Sequence, residues 1–341
     1  MKAIELSGPF QVHMVERPMP VRKKGQALLR MRSMSLCGSD INAYRGANSL
    51  VKYPVILGHE LTGEIVEIDN DNPRRLRPGD LVQVDPYLYC GQCYACSIGR
   101  TNCCKSLSVV GVHQDGGMAE YFVHPASMLY RAPQQVPLAF LPLSEPVAIA
   151  LHGLNRLNLK AGENLCIFGA GPIGLLAAMA AASRGVDAVL VDVLPSRLAY
   201  ANKLGFSKTV YSMQEDALKQ LELFSENQGF ACCLEASGAV EAIKMSMEVA
   251  SHAGRIALTG WPKKPLCFDS GIITRKELDV RGARTAAGEI EQALSLMEQG
   301  KVDVSGVLSC TVPFRKLPEA VEMMAANPEK YLKISCVMDI I

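Results

Sequence analysis

Leu165-Cys166-Ile167-Phe168-Gly169-Ala170-Gly171-Pro172-Ile173-Gly174 decides the fold. Apolar residues of strand type run into a Gly-x-Gly-x-x-Gly turn, and an uncharged, mostly apolar stretch continues to Ser183. The first glycine makes the turn and the second lets backbone amides approach a pyrophosphate. The third permits close packing of helix on strand, and the helix N-terminus favours the phosphate charge. Gly169, Gly171, Pro172, Ile173 and Gly174 are thus the expected phosphate-binding turn. Residues 165–183 come close to the length of a membrane span, but the glycines and the proline interrupt them. Strand, tight turn and buried helix are expected instead.

An acid answers the turn. Asp192 ends Ala188-Val189-Leu190-Val191-Asp192, about 20 residues downstream, where a carboxylate can accept hydrogen bonds from the adenosine ribose. Its charge would repel a 2′-phosphate, and no basic residue immediately follows it, so NAD is expected over NADP. Arg197, five residues on, leaves room for the phosphorylated form.

Working outward, strands are expected at 165–168, 188–191, 231–235 and 255–259, with helices at 174–183, 196–204 and 240–250. That alternation indicates βαβ units and a parallel sheet covered on both faces. Residues 1–150 differ: short β-type runs (27–31, 63–68, 81–84) are separated by Pro and Gly turns. The last stretch, 286–341, reads as helices at 289–299 and 317–326 and a strand at 334–337. The α/β class follows, with two domains for 341 residues.

Composition narrows the function. Lys plus Arg is 35 and Asp plus Glu 34, a net charge of +1, so neither nucleic acid nor an anionic membrane is an expected partner. Twelve cysteines are too sparse for a secreted disulfide scaffold. Met1-Lys2-Ala3-Ile4-Glu5 opens without the apolar run of a signal peptide, and a reduced cytoplasmic protein is expected.

Cys90, Cys93, Cys96 and Cys104 place four thiols in one short loop, with Gly91 and Gly99 between them. Tetrahedral zinc needs four converging thiolates, and four protein ligands close the site, so a structural zinc lobe is expected across 86–106. Disulfides suit a reduced compartment poorly, and an iron–sulfur cluster is the other use of four cysteines. Cys103, beside Cys104, is the alternative fourth sulfur.

Cys37-Gly38-Ser39-Asp40, Gly58-His59-Glu60 and Glu145-Pro146 are not diagnostic singly, since a lone His, Cys or Glu is usually core or surface. Together with the four-cysteine lobe, Gly111-Val112-His113-Gln114-Asp115-Gly116-Gly117 and the glycine turn, they carry a resemblance over essentially the full length. The chain resembles the zinc-containing medium-chain alcohol dehydrogenases, and most closely their sorbitol, threonine and L-galactonate-type branch.

That resemblance implies a GroES-like irregular β-barrel catalytic domain (1–150 and 286–341) with a Rossmann NAD-binding domain (151–285) inserted, and the active site in the cleft. It implies two zinc ions per chain, one structural and one catalytic. The catalytic ion is held by Cys37, His59 and an acid, either Glu60 directly or Glu145 directly or through water. This branch carries Glu-Pro where liver-type enzymes carry a cysteine ligand, and Glu145-Pro146 follows it. Asp40 becomes the partner of the free ring N–H of His59, and Ser39 the group that receives the alcohol proton. Lys333 matches a cation that reaches the pyrophosphate, and Arg284 an arginine near the nicotinamide pocket. Relatives are commonly homodimers or homotetramers.

The resemblance therefore implies NAD-dependent oxidation of a secondary alcohol on a polyol or sugar acid of the L-galactonate kind, with sorbitol- or L-threonine-type activity as alternatives. A zinc-free quinone reductase on this fold would lack the Cys37, His59, Glu145 set. A non-enzymatic regulator that keeps the fold is the other rival. A sugar acid would need a cation for its carboxylate, and Arg45, Lys52, His113 and Arg284 are the candidates. Asn42 departs from many relatives, which carry a histidine there that ends a proton relay.

Overall fold

The computed structural model describes residues 1–262 and 264–338. It divides into two compact units: Met1–Glu145 with Ile290–Gln299 and the chain from Val307 onward, and Pro146–Glu289 with Gly300–Gly306. The sequence texture puts the limits at 150 and 285 instead. The difference lies in a helix, Ser144–Leu157, that the sequence reading did not anticipate, and in the segment Gly300–Gly306, which packs with the second unit.

The first unit is built on one long strand, Gln26–Leu36, buried along most of its length because it has neighbours on both sides. Glu60–Glu67 pairs with it antiparallel on one side. On the other, Tyr121–Pro125 pairs with its first half and Lys333–Val337 with its second. The sheet extends through Leu81–Val84 to Leu129–Arg131, and at the other end through Leu308–Pro313. The pairing of Lys333–Val337 on Gln26–Leu36 is what brings the two ends of the chain into one unit.

The second unit is a six-stranded, wholly parallel sheet of β1 (Leu165–Phe168), β2 (Ala188–Asp192), β3 (Thr209–Tyr211), β4 (Phe230–Glu235), β5 (Ala250–Leu258) and β6 (Asp279–Gly282). The strand order is β3-β2-β1-β4-β5-β6. This is the doubly wound order of dinucleotide-binding folds, which bind across the crevice where the order reverses, beside β1. β1 and β2 are buried at every position, as strands covered on both faces must be. Phe168, Val191, Phe230 and Ile256 pack in one apolar cluster with Cys166 and Cys233, whose thiols burial pushes well above their usual range. These cysteines act as small apolar side chains.

Residues 165–183 fold as β1, the glycine turn and helix α1 (Pro172–Ala182). No helix among the described residues is long and apolar enough to cross a membrane. Gly169 takes φ +106°, and a Cβ on Gly174 would stand 1.8 Å from the Gly169 carbonyl oxygen. Only glycine fits at that third position. Helix α2 (Pro195–Lys203) follows β2, and helix α3 (Val240–Val249) links β4 to β5.

Candidate active site

Strand register assembles the first cluster. Gln26–Leu36 ends just before Cys37, and its antiparallel neighbour begins just after His59, with Ser35 opposite Glu60. Antiparallel pairing therefore sets the end of one strand beside the start of the next. Cys37, His59 and Glu60 offer ligand atoms that all lie within 4.8 Å of one another. A thiol, an imidazole and a carboxylate in one partly buried pocket form a donor set suited to zinc.

Cys37 also caps the helix Gly38–Tyr44, and its backbone N–H donates to Asp40 Oδ2 at 2.9 Å. That bond fixes Asp40, 1 % exposed, so that Oδ1 faces His59 Nδ1 at 3.7 Å. The separation is longer than a hydrogen bond, and neither atom has another partner. Burial raises the Asp40 pKa against the pull of the imidazole. On the opposite edge of the ring, Ser39 Oγ lies 3.3 Å from His59 Nε2. Ser39, Asp40, Cys37, His59 and Glu60 are thus brought together.

Two further carboxylate contacts come from residues the sequence reading passed over or assigned elsewhere. Ser35 donates to Glu60 Oε2, and Lys333 Nζ binds Glu60 Oε1 and the Leu36 carbonyl. Lys333 was expected at a cofactor pyrophosphate. It is instead 3 % exposed and paired with a fully buried carboxylate, which corrects that expectation. The register explains it, since Ile334 stands opposite Leu36 and so carries Lys333 to the same strand ends. Burial opposes its charge, but Glu60 together with Cys37 and Glu145 outweighs this and holds the ammonium above its usual pKa. Glu145, outside the three-residue ligand cluster, accepts a hydrogen bond from Tyr87 on Oε1, while its buried Oε2 has no partner. Burial first, and then the nearby Glu60 charge, push Glu145 up to about 7.

The 111–118 loop supports His59 from behind. A Cβ on Gly116 would meet the Gly58 carbonyl oxygen at 2.3 Å, and one on Gly111 would meet it at 2.7 Å. Gly58 itself sits at φ +100° against Met118. Backbone lies on backbone here, which is the physical reason for the glycines of that motif.

The second cluster is the cysteine lobe. Sulfurs of Cys90, Cys93, Cys96 and Cys104 lie within 4.8 Å of one another, and Cys103 is not among them. Gly91 and Gly99 both adopt positive φ, which lets the loop fold back on itself. Backbone N–H groups of Cys96 and Lys105 lower the Cys93 pKa to about 6, and those of Gln92 and Cys93 lower that of Cys90. Burial and the neighbouring Cys93 push Cys96 up to about 12. Thiols poised in this way suit a cation that takes all four as thiolates.

In the second unit, Asp192 Oδ2 accepts from Ala170 N–H at 2.7 Å and Oδ1 from Leu194 N–H at 2.9 Å. The acid is thereby pinned to the glycine turn. A Cβ on Gly171 would stand 3.1 Å from Arg197 Nη1, so the guanidinium lies against the turn, and its Nε is buried without a partner. Gly171 caps α1 with no side-chain hydrogen bond, and Pro172 occupies the first turn. The arrangement fits a dinucleotide phosphate. Arg284 lies 5.9 Å over the ring of Trp261. In the first unit, Arg45 donates to the Ala325 carbonyl, and His113 Nδ1 accepts from Val109 N–H at 3.1 Å. Neither is part of the Cys37, His59, Glu60 cluster.

Tyr87, Ser35 and Trp261 were not singled out from sequence. Ser35 meets Glu60 through strand register and Tyr87 meets Glu145 from 58 residues away, and no local spacing encodes either contact. Trp261 is the chain's single tryptophan, which composition shows, and is 70 % exposed, which only the fold reveals.

Comparison with known proteins gives a consistent result. Residues 23–134 match the family described as alcohol dehydrogenase GroES-like domain, and residues 172–299 that described as zinc-binding dehydrogenase. A zinc-type alcohol dehydrogenase-like protein of Haemophilus influenzae is 47 % identical over 99 % of this chain and 98 % of its own length. L-galactonate-5-dehydrogenase of Escherichia coli is 33 % identical, covering 98 % of both. The crystal structure of an alcohol dehydrogenase from Escherichia coli CFT073, complexed with NADH, superposes with a TM-score of 0.92 at 28 % identity, covering 99 % of both chains.

Proposed function

The chain belongs to the zinc-type alcohol dehydrogenases, and from that premise we propose that it oxidises a secondary alcohol of a polyol or sugar acid with NAD. The observation that carries this reading is the convergence of Cys37, His59 and Glu60 donor atoms within 4.8 Å, separate from the four-sulfur lobe. One cluster is closed by four protein ligands and structural; the other has three and is open to substrate. The likeness to L-galactonate-5-dehydrogenase supports a sugar acid or polyol over a simple alcohol. Two zinc ions per chain, and a homodimer or homotetramer in the cytoplasm, belong to the same proposal.

Cys37, His59 and Glu60 would hold the catalytic zinc, with Glu145 Oε2 reaching it through water. Bound there, zinc would supply Lewis-acid polarisation of an alcohol, and a nicotinamide cofactor would supply the hydride acceptor. Asp40 faces the imidazole with Oδ1 3.7 Å from Nδ1, where its charge would orient the ring and leave the other nitrogen for the metal. Lys333 and Ser35 restrain Glu60 from the strand side, so that carboxylate would be shared between a cation of the protein and the metal. Ser39, beside the ring edge, takes the alcohol proton. Asn42, on the same helix, can orient water but cannot store a proton near neutral pH. Asp192, with both oxygens held by backbone N–H groups, favours NAD over NADP by charge.

The test is reduction of NAD and of NADP by the purified protein with neutral polyols, aldonates and uronates. NAD reduction by members of this set supports the reading. Preference for NADP would overturn the cofactor assignment, and failure with every alcohol would favour a regulatory role for the fold.

A further inference from the structure

Tyr87 reaches the open cluster from the base of the four-cysteine lobe. Its O–H donates to Glu145 Oε1, and the two residues are 5 % and 1 % exposed. Glu145 stands in the first turn of the helix Ser144–Leu157, and among the described residues Tyr87 supplies the hydrogen bond to its carboxylate. The other oxygen, Oε2, is shielded from solvent and has no partner. A phenol on a carboxylate makes a short, strong bond, so the donor fixes the rotation of the acid and decides which oxygen is left over. Groups behind a metal site act in this way on the groups in front of them.

What places Tyr87 is a ribbon of two residues a side, Tyr87–Leu88 antiparallel to Ser108–Val109, with Tyr87 opposite Val109. At one end of the ribbon Tyr87 N–H donates to Asp85 Oδ1 at 3.1 Å, and Val110 N–H to the Pro86 carbonyl at 3.2 Å. At the other end its arms run into Cys90 and Cys104, whose sulfurs belong to the four-sulfur cluster. The Cys90 and Ser106 N–H groups both reach Cys104 Sγ at 3.3 Å. So short a ribbon is marginal by itself. Closing the loop between Cys90 and Cys104 removes the freedom of both arms, so the lobe holds Tyr87 in register.

We propose that Tyr87 is a positioning residue for the open metal cluster, holding Glu145 by Oε1 so that Oε2 is left for the ion and its water, and that the four-cysteine lobe sets its place. The inference rests on the dehydrogenase reading above and gives the closed site a second task. Besides adding stability, the lobe tunes the open site through one hydrogen bond. Such a coupling is mutual: whatever loosens Tyr87 from Glu145 also loosens the ribbon on which the lobe closes.

The test loads the full chain with zinc in the lobe and cobalt at the open cluster. Visible d–d bands report the ligands of the cobalt, and a competing chelator measures how tightly each site holds its metal. Tyr87→Phe should shift the bands and weaken the open site about tenfold to a hundredfold. Cys104→Ser, which opens the lobe, should weaken the open site by a comparable factor in the parent but by little more in Tyr87→Phe, because both act through one bond. Tyr87→Phe should also weaken the hold of the lobe on zinc, which tests the same link if Cys104→Ser does not fold. Parental bands and affinity in Tyr87→Phe overturn the positioning role. Losses that multiply independently in the double variant, or an unchanged lobe affinity in Tyr87→Phe, overturn the link to the lobe. A wild-type chain that takes up metal in the lobe alone overturns the dehydrogenase reading itself, so the two failures are told apart.

Discussion

Lys333 places its ammonium on the carboxylate of Glu60, with the two side chains 3 % and 0 % exposed. A buried pair of this kind contributes little net stability relative to apolar residues, but removing one partner strands the other charge. Lys333→Met should therefore destabilise the zinc-free protein by about 3–5 kcal/mol, measured by urea unfolding. Lys333→Met with Glu60→Gln should recover much of that loss. A single mutant as stable as the parent would mean that Glu60 is not charged there.

Zinc content separates the two neighbouring cysteines. Cys104→Ser should lose one of two zinc ions and lower the melting temperature, because a closed four-thiolate site contributes folding energy. Cys103→Ser should leave both unchanged, its sulfur lying outside the cluster. Equal metal loss in the two variants would assign the fourth sulfur to Cys103.

His124 gives the fold an acid-sensitive point remote from the metal ligands. It is 1 % exposed, its Nε2–H donates to the Asp85 carbonyl at 2.8 Å, and burial lowers its pKa from 6.5 to about 4. The folded state thus holds the neutral ring, while the unfolded chain takes up a proton below about pH 6.5. Its contribution is full above that pH and is lost as pH falls from 6.5 toward 4, on the order of 3 kcal/mol. His124→Asn, which keeps a neutral donor, should cost baseline stability but flatten the stability–pH curve over that interval. An unchanged slope would contradict the assignment.

Much of this fold is legible in the sequence. The glycine turn and the strands around it were found because buried parallel strands are continuous apolar runs and the turn needs glycine at fixed offsets. β3 and β6 were not anticipated. They are short sheet-edge strands, and Asp279-Val280-Arg281-Gly282 lacks the apolar run that marks a central one. The cysteine lobe was legible because its ligands are adjacent in sequence. Lys333 was misplaced for the opposite reason: its partner lies 273 residues away and meets it only through the strand pairing of the chain's two ends.

Asn42 bears on the proton route. On the proposed mechanism, with an amide at that position, the proton would leave from Ser39 through water, the cofactor ribose or another histidine. Asn42→His should shift the pH–rate profile toward neutrality and raise oxidation rates at lower pH, provided proton transfer limits turnover. An unchanged profile together with a full primary deuterium isotope effect would assign the slow step to hydride transfer.

The central claim is that the Cys37, His59, Glu60 cluster holds a zinc ion that turnover requires. The most direct measurement is NADH formation from the best alcohol by wild type and Cys37→Ser, each assayed for zinc content and NADH affinity. Cys37→Ser should retain one zinc ion per chain and near-parental NADH affinity while losing turnover by at least about a thousandfold, roughly 4 kcal/mol. Turnover that survives in Cys37→Ser, or in wild type stripped of its second zinc, would contradict the account.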